Sequence, residues 1–311
     1  MKRLLFLGLL MMLGVALAFI SGCDEDEATN PPEKAVGDTL NPIFVAVEEG
    51  FEGINEMTPM LLAVSLEFMD SVLNDPGHPA SGKWSIGIQG LSVAADSFLH
   101  TYHSNSQYWY FYYGIVDTSF NGDTVVDIFT LTLEDSIQFL HGAGPVQWPD
   151  SAELTGIKAG GSFEISSMNE GSVSLHQNFT ITGDIAGLGD VVINGNGQLS
   201  IDLESNEPYC SFDFDMNQTI SNLQLNITEL EEEEGCPTAG TIRHVGAVSV
   251  ECTGDTSFTF SDTWSITQTF SGDIITTVFE NSTTVWTVTD TCGGGSAAPW
   301  SRFTGISRNL D

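Results

Sequence analysis

The densest chemistry in this chain is aromatic. Tyr102-His103 is followed by Tyr108-Trp109-Tyr110-Phe111-Tyr112-Tyr113. On a strand, Tyr108, Tyr110 and Tyr112 share one face, and Trp109, Phe111 and Tyr113 share the other. Flat rings with a polar handle suit stacking against a sugar or an apolar ligand. Tyr108, Trp109, Tyr110 and Tyr112 are therefore the candidate stacking residues. The competing reading is a central strand buried on both faces. His100 and His103 stand nearby, but no third ligand accompanies them, so no metal site is expected there.

Cysteine is the second reactive type. Cys210, Cys236, Cys252 and Cys292 form an even set late in the chain, and Cys23 stands apart near the start. Two disulfides are expected from the four, with three possible connectivities. A hairpin over 236–252, centred near His244, favours Cys236–Cys252 with Cys210–Cys292. Cys210–Cys236 with Cys252–Cys292 is the alternative. No close Cys pair of the zinc-site kind occurs.

Catalytic signatures are missing from the sequence. It has no Gly-x-Ser-x-Gly elbow, His-Glu-x-x-His pair, phosphate loop or dinucleotide fingerprint. Asp213-Phe214-Asp215-Met216-Asn217 opens like a calcium loop. However, Gln218 sits where Gly is required and Gln224 where the bidentate Glu is required, so a strand fits better. The acid run 231–234 reads as a solvated loop. No catalytic residue and no cofactor are expected. A hydrolase on a β scaffold would need a positioned pair of carboxylates that spacing alone does not reveal.

Charge narrows the partners. The 42 Asp and Glu face 8 Lys and Arg, a formal net charge of −34. Such a surface repels phosphate backbones, which excludes nucleic acid, and suits solubility in salt or contact with a basic protein.

The first 23 residues have an order of their own. Lys2 and Arg3 precede an unbroken run of apolar residues and glycine from Leu4 to Ile20, and Ile20-Ser21-Gly22-Cys23 closes it. That is the order of a secretory signal peptide. The closing four residues resemble the lipobox of bacterial lipoproteins, with small residues before the cysteine and Ile20 where Leu is commoner. The resemblance implies that 1–22 is a signal peptide and that Cys23 becomes an acylated N-terminus, anchoring an exported protein to a membrane of the cell envelope. Residues 23–41 then form a tether, acidic at Asp24–Glu27 and carrying Pro31-Pro32, too polar to bury a core.

The body, 42–292, must position the aromatic run. Asn41-Pro42 and Thr58-Pro59 look like helix starts. Phe44, Val47, Phe51 and Ile54, then Leu62, Leu66, Met69 and Leu73, recur at helical spacing, which predicts two short α-helices. From Trp84 the period becomes two. Val173, Leu175, Phe179 and Ile181 alternate with polar residues, as do Leu199, Ile201 and Leu203, then Phe212, Phe214 and Met216. Turn signals fall at Asn121-Gly122, 169–171, Asn194-Gly195, 271–273 and 280–282. The fold class is mainly β: an antiparallel meander forming a barrel, half-barrel or sandwich, preceded by the two helices. Residues 293–311 read as a flexible tail. The expected function is a non-catalytic binding role for an apolar or amphipathic ligand. The alternative is a structural or adhesive envelope protein meeting a basic partner through its acidic face.

Overall fold

A computed structural model describes residues 98–291 apart from short gaps, with Gly87–Ile88, Leu91–Ser92 and five residues between 43 and 51. Strands β1 (Gly87–Ile88) and β2 (Leu91–Ser92) pair with each other. Twelve more follow: β3 (Phe98–His103), β4 (Tyr108–Asn121), β5 (Thr124–His141), β6 (Gly144–Val146), β7 (Leu154–Ser167), β8 (Gly171–Gly183), β9 (Asp190–Asn206), β10 (Tyr209–Asn226), β11 (Ala239–Thr253), β12 (Phe258–Ser271), β13 (Ile274–Glu280) and β14 (Val285–Thr291). They form one antiparallel sheet, ordered β14 to β7, then β5, β4 and β3, with β6 beside β5. β3 and β14 end the path, and no pairing joins them among the described residues. The closed barrel, one of the expected forms, is thereby set aside.

Alternation explains the strands. On β5, Leu131, Leu133, Ile137 and Phe139 are buried, and Thr130, Thr132 and Ser136, of the opposite parity, are not. One face of the sheet is thus apolar and the other hydroxyl-, amide- and carboxylate-bearing. Four of the five turn signals fall between strands. Asn194-Gly195 does not: it lies inside β9, and this corrects the expected turn. A side chain at Gly195 would press on the Asn178 carbonyl oxygen and on Phe179, so the glycine serves close strand approach instead of a turn.

Ile43, Phe44, Val47, Glu48 and Phe51 have helical backbone, and Phe44, Val47 and Phe51 are buried. Phe44 stacks on Trp286 at 5.1 Å and meets Phe279 edge-on at 5.4 Å; Trp286 stacks in turn on Trp264 at 5.3 Å. This segment therefore covers the apolar face at β12–β14. The second expected helix, after Thr58-Pro59, lies outside the described residues, as do the tether and the tail.

The apolar face holds two clusters. One contains Leu133, Leu175, Leu199, Phe214 and Trp264; the other contains Ile137, Ile157, Phe179, Ile193 and Ile242. Between them a row of direct cross-strand partners runs Asp135, Gly161, Gln177, Gly197, Gln218, His244. Its polar members are buried. Gln177 Nε2 donates to Gln218 Oε1 at 2.6 Å, and Gln218 Nε2 lies 2.9 Å from His244 Nε2. Phe51 meets the His244 ring edge-on at 5.3 Å.

The disulfide pairing differs from both expected arrangements. Cys210 on β10 is the direct partner of Cys252 on β11, and the two are bonded. The expected hairpin over 236–252 does not form, because 239–253 is one continuous strand. Cys236 precedes that strand and Cys252 nearly ends it, which puts them about 50 Å apart at ~3.3 Å per residue. Cys236 is itself disulfide-bonded, to a cysteine outside the described residues. Such bonds fit an oxidising compartment.

Candidate functional site

The polar face carries a groove of about 700 Å³ crossing β4 to β9. Its lining starts at the β3–β4 turn with His103, Ser106 and Tyr108 and continues through Tyr110 on β4. The turn is shaped locally. Gln107 has φ of +58°, and its N–H donates to the His103 carbonyl at 2.7 Å. Gln138 Nε2 donates to the Ser106 carbonyl at 3.2 Å, which ties the turn down over β5 and buries Gln138 on the polar face. The turn thus stands as one wall.

Two cross-strand rows make the floor. One runs Tyr110, Ser136, Gly160, Asn178, Asn196. The other runs Gln138, Lys158, Thr180, Asn194. Ser136 is fixed by donating its hydroxyl to the Gly160 carbonyl at 2.8 Å. Asn194 Oδ1 accepts from the Asn222 N–H at 2.8 Å, which leaves its amide nitrogen as a donor. Asn222 has φ of +48° and sits at a bulge in β10, so irregular backbone on one strand orients a side chain on the next.

The aromatic run divides as strand geometry dictates. Tyr108 and Tyr110 line the groove and are half-buried. Burial, the Glu134 carboxylate that accepts its hydroxyl, and Tyr112 all raise the Tyr110 pKa. Tyr112 shares the face but lies back along its own strand over Gly114, outside the lining. Trp109 leaves the set of stacking candidates. It points to the opposite face, is buried beside Tyr102 at 5.2 Å, and donates from Nε1 to the Gln147 carbonyl at 2.9 Å.

Among the described residues, the groove lining contains no Asp or Glu. Asp202, Glu204, Asp213, Asp215 and Glu251 are exposed on the same face toward the far end of the central strands, whereas Glu134 lies beside the groove against Tyr110. Asp213 and Asp215 therefore sit on a strand and not in a calcium loop, and no cluster suited to a metal occurs among the described residues.

Spacing could not have named Lys158, Asn178, Thr180 and Asn194, because three strands bring them together. Chemically the arrangement offers the Tyr108 and Tyr110 rings, the His103 imidazole, hydroxyls, amides and one ammonium. Comparison with protein-family models, with curated proteins and with solved structures gives no match.

Proposed function

We propose that the chain is a lipid-anchored, non-catalytic binding protein of the cell envelope whose polar-face groove holds a glycan. Cys23 would carry the anchor, and the tether would hold the sheet away from the membrane. The observation that carries the ligand reading is the pairing of Tyr108 and Tyr110 with an amide- and hydroxyl-rich floor. Sugars present apolar C–H faces to rings and hydroxyls to such groups. The apolar face is filled by its own side chains at the described positions, with Phe44 against Trp286.

The test uses the full-length chain in detergent and titrates soluble oligosaccharides by calorimetry. Tyr108→Ala with Tyr110→Ala should weaken binding about tenfold, on the scale of two ring contacts. Absence of binding to every oligosaccharide, or unchanged affinity in the double variant, rejects the reading.

The acid sector from Asp202 to Glu251 favours a second reading, adhesion to a basic envelope protein. Recovery of such a partner should then fall steeply with added salt.

A further inference from the structure

Charge is distributed unevenly over the polar face. The chain has 42 acids and 8 Lys and Arg, yet the groove lining holds a lysine and a histidine and, among the described residues, no carboxylate. Lys158 is exposed and has no carboxylate partner among the described residues. With acids so abundant, an ammonium left without one at the centre of a groove is a site prepared for a charge brought by something else.

The rows add a direction. Neighbouring strands lie ~4.8 Å apart, close to the length of one pyranose residue in an extended chain. From Tyr110 to Asn196 the row crosses four strand gaps, about 19 Å. A linear glycan laid across the strands would meet one side chain per sugar: a ring on β4, Ser136 on β5, Lys158 on β7, Asn178 or Thr180 on β8, and Asn194 or Asn196 on β9.

We infer that the groove's ligand is an acidic glycan, a uronate-bearing chain running perpendicular to the strands with a carboxylate held by Lys158. This rests on the glycan reading above and specifies its charge and orientation. The acid sector does not forbid it. Asp215, its member nearest the groove, is four residues along β10 from Thr219, the partner of Asn196, about 13 Å, and in physiological salt fields decay over about 8 Å. Glu134, beside the groove, already accepts the Tyr110 hydroxyl.

The experiment compares matched polymers on the full-length chain in detergent: oligogalacturonate, oligoalginate and hyaluronate oligomers, each beside its carboxyl-reduced counterpart. At least one uronate form should bind about fivefold more tightly than its reduced partner, the scale of one exposed ion pair. Lys158→Gln should abolish that difference, and Lys158→Arg should keep most of it. If reduced and uronate forms bind alike and Lys158→Gln changes nothing, the acidic-ligand inference falls and the glycan reading survives. If none of the six binds, both fall.

Discussion

Gln177 and Gln218 are on strands that are not neighbours, yet their side chains meet across Gly197 on the strand between. A side chain at Gly197 would press on the His176 carbonyl oxygen and stand 3.1 Å from Gln177 Cγ and 3.2 Å from Gln218 Oε1. The glycine is therefore what lets two buried amides reach each other through an otherwise apolar layer. Gln218→Leu removes the shared partner of Gln177 and His244. A buried group that loses its hydrogen bond costs about 1–3 kcal/mol, so unfolding free energy should fall by about that much in urea titration. A loss under about 0.5 kcal/mol would show that the row contributes nothing as a network.

His244 sets a pH dependence. Burial lowers its pKa from 6.5 to about 4. The unfolded chain therefore binds a proton that the folded chain refuses between those values. Stability is full above pH 6.5 and is lost as pH falls toward 4, by about 3 kcal/mol from this residue. Acids also titrate near the lower limit, so the comparison is with His244→Gln. Urea midpoints of the native chain should fall further between pH 7 and pH 4.5 than those of the variant. Parallel falls would remove His244 as the cause.

The disulfides are open to peptide mapping without reduction. Cys210–Cys252 should appear as one linked pair. With Cys23 acylated, Cys236 should be linked to Cys292. A Cys23–Cys236 peptide would overturn the lipid anchor. Replacing Cys210 and Cys252 by alanine opens a loop of sequence separation 42 and should cost about 2–4 kcal/mol.

Cys23→Ser tests the anchor directly. The substituted protein should leave the membrane fraction for the soluble one. Retention at full length in the membrane would remove the lipoprotein reading.

Much of this was legible in the sequence. Alternation identified the faces of β4, with Tyr108 and Tyr110 on one and Trp109 and Phe111 on the other. The buried polar row also left a trace: the series Val173, Leu175, Phe179, Ile181 skips 177, and Phe212, Phe214, Met216 stops before 218. A polar residue on the apolar parity was the signal. Register was not legible, because it depends on how long each strand runs before it turns. The Cys210–Cys252 bond and the Lys158 groove both depend on register, and both escaped the reading of spacing. Asn194-Gly195 misled for a related reason, since a dipeptide made for a turn also serves where two strands crowd.

All but one of the pairings along the twelve-stranded sheet join strands consecutive in the chain, and the exception, β5 with β7, only steps over the short β6. Within the sheet the chain can therefore order itself from its leading end as it emerges, each new hairpin laid on the last, while the segment at 43–51 docks once β12–β14 have formed. Even the Cys210–Cys252 bond joins adjacent strands, so oxidation can follow the growing sheet. A fold of this size would otherwise be slow and exposed to aggregation; here the distance along the chain that any pairing must span stays short.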